Sequence, residues 1–404
     1  MKIAIVGKGT ASIITALTCI KRGHSVDIFY DPNTPFIKVG ETTTPHITDL
    51  LDDVLGITIH DLCKVGVTSY KIGVKFIDWG VGKPFLSNFG GNSFSVHFDT
   101  VKFNDYIHNI LNERGLVNYI PERVESHFPI ENTPFSSGEN VVVNNRNYNF
   151  IVYTSGWSNK DEYIEPFIKT VNSAVLYRDY QLDVDNLSTI HRATEDGWEF
   201  GLPFPKEGIT KRGYLYDRSL ISKSDVLEKL NGKKIANAIE WNPKYAKKLI
   251  QDRHHAYNGN KVFFFDPLHA FGLFYYSLFA NLICNYLENP SIKSFCDYNA
   301  EYQNMIWQHQ LALAFHYKYG SVYETEFWKN VKTASNQICS VSPGMNPELQ
   351  FQNFSIDNQF SIEYMERTDY SSIKPFSYHE LLEIHAGMVG SSQEEVLEKY
   401  PLIY

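Results

Sequence analysis

The sequence predicts an α/β protein that opens with a dinucleotide-binding βαβ unit, and three observations support this class. An apolar run over residues 2–6 has the length and composition of a buried strand. A glycine turn follows it directly and leads into a helical stretch over 13–22. A second strand, over 25–30, then ends at Asp31, about where an acidic residue reaches a ribose hydroxyl.

The glycine turn has the composition that a bound pyrophosphate requires. Gly7 permits a tight turn, and Gly9 lets backbone amides approach an anion at the positive end of the next helix. The third glycine of the usual fingerprint is replaced by Ser12, which is small enough for helix and strand to pack closely. A turn without a ligand is the simpler alternative, but the ordered succession of elements favours a cofactor site. The predicted cofactor-binding residues here are Gly7, Gly9, Thr10, Ala11, Ser12 and Asp31.

Length and composition predict two interlocked modules. At 404 residues the chain exceeds the size at which one core keeps growing. The 27 Phe, 26 Tyr and 6 Trp suit a pocket for flat ligands, although a dense core contains such residues as well. The aromatic content by itself therefore does not decide the function.

Charge and cysteine content exclude several classes. A net charge of −9 without a basic run argues against nucleic acid or an anionic membrane as partner. The 5 cysteines are odd in number and contain no CxxC pair, so neither a disulfide framework nor a metal site is predicted. The longest apolar run, 270–284, contains Asn281 and is too short to span a bilayer. With no signal peptide ahead of the first strand, we expect a soluble, cytoplasmic protein.

The remaining pattern predicts how the modules are organised. Period-two alternation over 66–103 indicates an antiparallel sheet inserted in the first module. Strands resume over 196–216, and the sequence beyond residue 290 has helical spacing. We expect a nucleotide-binding module with an interwoven, substrate-side sheet over 1–290 and a mainly helical cap or substrate module over 291–404.

Four further stretches, in the same order and spacing across about residues 1–330, resemble the flavin-dependent halogenases of the tryptophan-halogenase type. The family's V-G-E-x-T-x-P, S-Y-K with K-F-x-x-W, W-H-F-D and W-x-W-x-I-P motifs correspond to 39–45, 69–71 with 75–79, 96–99 and 198–203. The resemblance implies a Rossmann-like FAD-binding module of the glutathione-reductase/aromatic-hydroxylase type, with an inserted antiparallel sheet and a C-terminal helical cap. Gly40 and Glu41 of the first motif join the cofactor-binding residues.

The resemblance also implies a reaction. The family takes FAD reduced, as FADH2, from a separate flavin reductase and reacts it with O2 to a C4a-hydroperoxide that a halide attacks. The resulting hypohalous acid reaches a lysine beside a small aromatic substrate, here of the indole or phenol type. The match to S-Y-K makes that lysine Lys71. A partly buried lysine has the lowered pKa that suits either hydrogen bonding to the acid or haloamine formation.

Two alternatives to Lys71 stay open. Lys75, four positions on, is expected on the same face of the strand and is the second candidate. Without the resemblance, both would be interpreted as surface lysines of a sheet.

The aromatic motif is expected to separate the flavin compartment from the substrate compartment through Trp198, Phe200 and Pro203, with Phe200 in place of the family's second tryptophan.

The chain departs from the family near the halide. The family's E-P-L-E-S-T-G corresponds to residues 266–272, where His269 replaces a glutamate and Ala270-Phe271 replace the Ser-Thr pair. Backbone amides of Phe271 and Gly272 are the predicted halide site. Asp266 and Gly272 are assigned to cofactor binding. His269 is predicted to accept the proton that the substrate releases, with a plain core histidine as the alternative.

These departures predict a preference for bromide or iodide over chloride, because lost hydroxyls and added apolar surface penalise the strongly hydrated ion. The shorter C-terminal region lacks the family's tryptophan-clamping pattern and resembles phage-encoded members. An FAD-dependent aromatic hydroxylase and a flavin-binding protein without catalysis are the alternative functions. The sequence leaves a homo-oligomer open.

Overall fold

The structure is a computed structural model, and it describes residues 1–34, 40–88, 94–130, 141–155, 162–182, 187–341 and 378–399. The chain divides into two compact units that interleave along the sequence. Unit 1 comprises Met1–Thr68, Phe98–Glu165 and Lys244–Ile306, and unit 2 comprises Ser69–His97, Pro166–Pro243 and Trp307–Tyr404. The boundary at residue 290 stays a prediction about domain organisation.

The strands are β1 (Lys2–Val6), β2 (Ser25–Phe29), β3 (Gly40–Thr42), β4 (Thr68–Lys71), β5 (Gly73–Ile77), β6 (Phe85–Asn88), β7 (Ser95–Asp99), β8 (Val117–Ile120), β9 (His127–Pro129), β10 (Val141–Val143), β11 (Arg146–Tyr148), β12 (Phe150–Tyr153), β13 (Tyr163–Ile164), β14 (Ser173–Asp179), β15 (Thr189–Thr194), β16 (Gly197–Phe204), β17 (Ile209–Tyr216), β18 (Lys234–Glu240), β19 (Lys244–Ala246), β20 (His255–Tyr257) and β21 (Phe263–Phe264). The helices are α1 (Thr10–Lys21), α2 (Pro45–Leu55), α3 (Ile59–Lys64), α4 (Thr100–Glu113), α5 (Lys223–Lys229), α6 (Gly272–Glu288), α7 (Ile292–Tyr317), α8 (Glu326–Val341), α9 (Tyr378–Val389) and α10 (Gln393–Lys399).

Unit 1 is built on a parallel sheet of order β20-β12-β1-β2-β8. Strand β1 lies in its centre, and Ile3, Ala4 and Ile5 are fully buried. An uninterrupted apolar strand is typical of a parallel sheet that is covered on both faces. The predicted βαβ opening and the Rossmann-like class are therefore confirmed.

Two helices carry much of the apolar packing of unit 1. Helix α1 is buried from Thr10 through Cys19, and α6 is buried on most of its circumference. A helix that is apolar nearly all round belongs inside a protein core. Of the described helices, none combines the length and the apolar character that a membrane span requires.

Unit 2 contains a seven-stranded sheet of order β18-β14-β17-β16-β15-β5-β6. The predicted antiparallel pairing within 66–103 is present between β5 and β6, but β5 also pairs in parallel with β15. The sheet is therefore shared with strands from residues 173–240, which the sequence analysis treated separately. Local alternation shows that a strand has two faces and does not show which distant strand will pair with it.

The described residues beyond 291 are mainly helical, in α7, α8, α9 and α10. The part of the predicted cap that falls on residues 342–377 lies outside the described residues. Helix α4 begins at Thr100, where the Asp99 carboxylate accepts hydrogen bonds from the amides of Val101 and Lys102.

Candidate functional site

The two glycines of the first turn have different surroundings. Gly7 has a φ of +123°, and a Cβ there would lie 2.6 Å from Thr154 Oγ1 at the end of β12. Gly9 is extended, with a φ of −96°, and no atom lies within 4 Å of the place its Cβ would occupy. Gly7 is therefore required by the fold itself, whereas Gly9 leaves open space at the N-terminus of α1.

The N-terminus of α1 is open to an anion. Its N-cap is Gly9, without a side-chain cap, and its first turn contains no acidic residue. Such an end presents backbone amides and the positive pole of the helix dipole. Ser12 Oγ donates to the Gly9 carbonyl at 2.7 Å, which satisfies the hydroxyl that replaces the third glycine.

A buried amide next to this turn supports the fit of a dinucleotide. Thr10 Oγ1 donates to Asn104 Oδ1 at 3.1 Å, and Asn104 is only 1% exposed. Among the described residues, Asn104 Nδ2 has no hydrogen-bond partner. Buried amide donors are rarely left unsatisfied, so a phosphate or ribose oxygen at this position would complete the site. The residues of the turn thus fit FAD.

A histidine that the sequence analysis missed, His108, hydrogen-bonds to the backbone of the glycine turn. His108 Nε2 lies 3.0 Å from the Lys8 carbonyl, and Nδ1 lies 2.7 Å from the Tyr119 hydroxyl. Only the tautomer with the proton on Nε2 satisfies both contacts, because the carbonyl can only accept. Burial lowers the pKa of His108 to about 4, so the ring is neutral near pH 7. The spacing of Asn104 and His108, four residues apart on one face of α4, was the sequence signal that could have identified them.

The predicted acidic residues of unit 1 have distinct roles. Asp31 Oδ1 accepts from the Asn33 amide at 2.8 Å and so orders the turn after β2. Glu41 accepts from Thr100 Oγ1 at 3.1 Å, and burial raises its pKa to about 7. Burial, and after it the charge of Glu41, raises the pKa of Tyr276, which places Glu41 near the first turns of α6. The burial of Gly40, the first residue of β3, lies outside what the structure describes.

The start of α6 is the predicted halide site. Asp266 Oδ1 accepts from the Leu268 amide at 2.9 Å and caps the short 3₁₀ helix Pro267–His269. Helix α6 then begins at Gly272, without a side-chain cap and without an acidic residue in its first turn. An anion is stabilised at such an N-terminus. The side chain of His269 lies outside the described residues, so its role stays a prediction.

Lys71 lies in unit 2 as the last residue of β4 and is only 1% exposed. Burial lowers its pKa from 10.5 to about 7. Lys75 is half-buried and belongs to β5, which begins at Gly73. The expectation that both lysines share one face of one strand is therefore wrong, because the chain changes strand between them.

Two buried histidines accompany Lys71. His97 and His191 are 0% and 2% exposed. The pKa of each is held well below its usual range, first by burial and then by the charge of Lys71. His97 Nε2 lies 2.9 Å from Thr189 Oγ1. The sequence analysis quoted His97 without a role and did not identify His191, which occupies an ordinary position of β15.

Separate motifs of the sequence meet at this lysine. Ser69 Oγ donates to the Pro203 carbonyl at 2.6 Å, which joins the S-Y-K segment to the end of the tryptophan motif. Ser69 Oγ also lies 3.5 Å from His97 Nδ1, in the V-H-F-D segment. Three segments that are far apart in sequence thus meet at Ser69, two residues before Lys71, within unit 2.

The aromatic motif lines the same region. The Trp198 ring lies 4.9 Å from His191 and 6.4 Å from Phe200, measured between ring centroids. Trp198 is fully buried, and its Nε1 has no hydrogen-bond partner among the described residues, nor does His191 Nδ1. Phe200 packs against Gly213, where a Cβ would lie 2.3 Å from the ring. The region around His191 therefore combines apolar ring surfaces with two buried nitrogen atoms, Trp198 Nε1 and His191 Nδ1, to which a small polar ligand could hydrogen-bond.

The comparisons with known proteins agree with this arrangement. Residues 2–138 match the family model "Tryptophan halogenase". The chain is 29% identical over 114 residues to the tryptophan 7-halogenase RebH of Lentzea aerocolonigenes and 34% identical over 88 residues to the tryptophan 6-halogenase ThaL of Streptomyces albogriseolus. These alignments cover 26% and 20% of this chain and 22% and 17% of the two relatives.

Solved structures extend the likeness to the whole chain. A tryptophan halogenase from Shewanella frigidimarina superposes with a TM-score of 0.75 at 17% identity, covering 99% of this chain and 93% of that one. A flavin-dependent halogenase from Xanthomonas campestris has a TM-score of 0.75 at 14% identity, covering 96% and 88%. Residues 2–138 thus resemble the tryptophan halogenase family, as the motifs indicate, and along its length the chain has the fold of the flavin-dependent halogenases.

Proposed function

We propose that this protein catalyses the FADH2- and O2-dependent halogenation of a small, electron-rich aromatic compound of the indole or phenol type. Lys71 is the residue that receives hypohalous acid. The observation that carries this proposal is a lysine that is 1% exposed, has a pKa of about 7 and acts electrostatically on His191, which packs against Trp198, in the motif context of a halogenase.

The cofactor site belongs to unit 1. Reduced FAD, supplied by a separate reductase, would donate two electrons to O2 and so bring it to the peroxide level, which can oxidise a halide. Gly9 and the first turn of α1 hold the pyrophosphate, and Asn104 Nδ2 donates to a cofactor oxygen. Asp31 accepts from a ribose hydroxyl, and Glu41, with its raised pKa, lies toward the start of α6.

Lys71 suits either route of halogen transfer. Near pH 7 both the free amine and the ammonium form of Lys71 are available, because burial lowers its pKa to about 7. The amine can attack hypohalous acid to form an N–halogen bond with loss of water. The ammonium form instead donates a hydrogen bond to the oxygen of the acid and so polarises its bond to the halogen. His97 and His191 stay neutral beside it, which limits repulsion of the ammonium.

The halide is proposed to bind at the start of α6, on the amides of Phe271 and Gly272. No side chain caps this end of α6. The family's hydroxyl pair is absent here, which favours bromide or iodide over the more strongly hydrated chloride. His269 remains the proposed acceptor for the proton released during aromatic substitution.

A matched pair of variants tests the assignment of Lys71. Lys71→Ala should abolish halogenated product while reduced flavin is still oxidised by O2, since the lysine acts after the halide has been oxidised. Lys75→Ala removes a neighbouring, half-buried lysine on another strand and should keep product formation. Product is measured by mass spectrometry with phenols and indoles and with chloride, bromide and iodide. Full product with Lys71→Ala and loss with Lys75→Ala would transfer the role to Lys75.

The same assays separate the alternative functions. An aromatic hydroxylase would oxidise NAD(P)H without an added reductase and release a hydroxylated product. A flavin-binding protein without catalysis would give no halogenated product with any halide or substrate of the panel. We expect halogenation that requires both the reductase and the halide.

A further inference from the structure

Two thiols form a buried pair between helices α1 and α6. Cys19 Sγ lies 3.8 Å from Cys284 Sγ, and both residues are 0% exposed. Both are reduced in this structure. The pair lies within unit 1 and has no part in the reaction proposed above.

Small side chains and a bridging amide bring the two helices together. Ala11, Thr15 and Thr18 are buried on α1, and short residues let helix backbones approach closely. Asn258 Nδ2 donates both to Thr15 Oγ1, at 3.0 Å, and to the Tyr276 carbonyl of α6, at 2.9 Å. Because this bridge holds α1 against α6, the two sulfur atoms are kept within reach of each other.

The charges around the pair make the two thiols unequal. Arg22 donates to Asn281 Oδ1 at 3.4 Å and to Asn285 Oδ1 at 3.2 Å, on the turn of α6 that contains Cys284. The pKa of Cys284 is lowered, first by the hydrogen bond from the Cys19 thiol and also by His24 and Arg22. The pKa of Cys19 is raised, first by the same hydrogen bond. These opposite directions favour Cys284 as the attacking sulfur of the pair and Cys19 as the resolving sulfur.

We propose that Cys19 and Cys284 are a redox modification site that closes to an intramolecular disulfide when the protein meets hydrogen peroxide. The Cys284 thiolate attacks one peroxide oxygen, the O–O bond breaks, and Cys284 becomes a sulfenic acid as hydroxide leaves. Cys19 sulfur then attacks the Cys284 sulfur, the S–O bond breaks, and the Cys19 proton leaves with the oxygen as water. Overall, two thiols and one peroxide give one disulfide and two waters.

The disulfide would connect α1 to α6 at the end of α1 opposite its open N-terminus. It closes a loop that contains most of unit 1, and a cross-link over a long loop removes much conformational entropy from the unfolded chain. Oxidation should therefore raise the thermal stability of the protein and hold α1 in place.

The test uses the full-length, reduced protein and stoichiometric hydrogen peroxide. Mass spectrometry of the unreduced protein should show the loss of two hydrogen masses, restored by dithiothreitol, and peptide mapping should link the peptides of Cys19 and Cys284. Cys19→Ser should instead leave Cys284 with added oxygen. Cys296→Ser removes an exposed cysteine and should leave the cross-link unchanged.

The proposal is overturned by reduced protein that keeps its mass, or by a disulfide that maps to any other pair. Because serine could unfold the core at either position, each variant's melting transition is recorded first, and Cys19→Ala replaces Cys19→Ser if that variant is unfolded. In folded Cys19→Ala, a disulfide that still involves Cys284 would also refute the pairing.

Discussion

The buried charge of Lys71 should cost this protein stability in a way that depends on pH. The folded state lowers the pKa of Lys71 from 10.5 to about 7. Between these values the unfolded chain binds more protons than the folded one, so stability rises with pH through this window. Below pH 7 the full cost is present, and above pH 10.5 it disappears.

The size of the cost follows from the shift. The difference between 10.5 and about 7 is about 3.5 pKa units, which corresponds to roughly 5 kcal/mol at about 1.4 kcal/mol per unit. Lys71→Met replaces the ammonium with an apolar chain of similar length. It should therefore stabilise the protein by up to about 5 kcal/mol at pH 6, and by roughly 2 kcal/mol at pH 9, where about 1.5 units of the window remain.

Thermal or urea unfolding of both proteins at pH 6, 7.5 and 9 measures this difference. His97 and His191 face Lys71 and have pKa values well below 6.5, so they remain neutral across this range. Lys75→Met is the matched control, because it makes the same replacement at a half-buried lysine on another strand and leaves Lys71 in place. An equal gain from Lys71→Met at all three pH values would refute the reasoning. The variant should also make no halogenated product.

Further outcomes are expected at the glycine turn, at Glu41 and at the proposed halide site. Gly9→Val should abolish FAD binding, measured by fluorescence titration, and leave the melting temperature unchanged, because its side chain enters open space. Gly7→Ala should lower the melting temperature, because its Cβ meets Thr154 at a φ of +123°. Normal FAD affinity in folded Gly9→Val would contradict the assignment. The stability contribution of Glu41 changes with pH in the opposite direction to that of Lys71: because its pKa is raised to about 7, stability falls as pH rises from 4.5 through 7. Glu41→Gln should therefore be stabilising at pH 8 and nearly neutral at pH 4. A pH-independent effect would argue against this reasoning. Turnover should be faster with bromide or iodide than with chloride at equal concentration, and faster turnover with chloride would contradict the proposed halide preference. His269→Ala should change the pH profile of turnover, and an unchanged profile would contradict the proposed role of His269.

Much of the cofactor end could be predicted from sequence because its signals are local. A short apolar strand, a glycine turn and a helix are consecutive in the chain, and backbone sterics make that order informative. The close contact that a side chain at Gly7 would make with Thr154 was not predictable, since it depends on what β12 brings beside the turn. His108 and Asn104 were missed for the same reason: their partners lie on other elements.

The sequence by itself determined the fold class and the opening βαβ unit, because each rests on residues close together in the chain. It also proposed Lys71 as the lysine of interest, through the resemblance of its motifs. Only the tertiary structure decided that Lys71 is buried and that Lys75 lies on a different strand. It also brought His191 from β15 to Lys71 and Cys284 from α6 to Cys19. The physical reason is that burial, and with it the pKa of a lysine or the pairing of two thiols, depends on contacts between residues distant in sequence, and local patterns contain no information about those contacts.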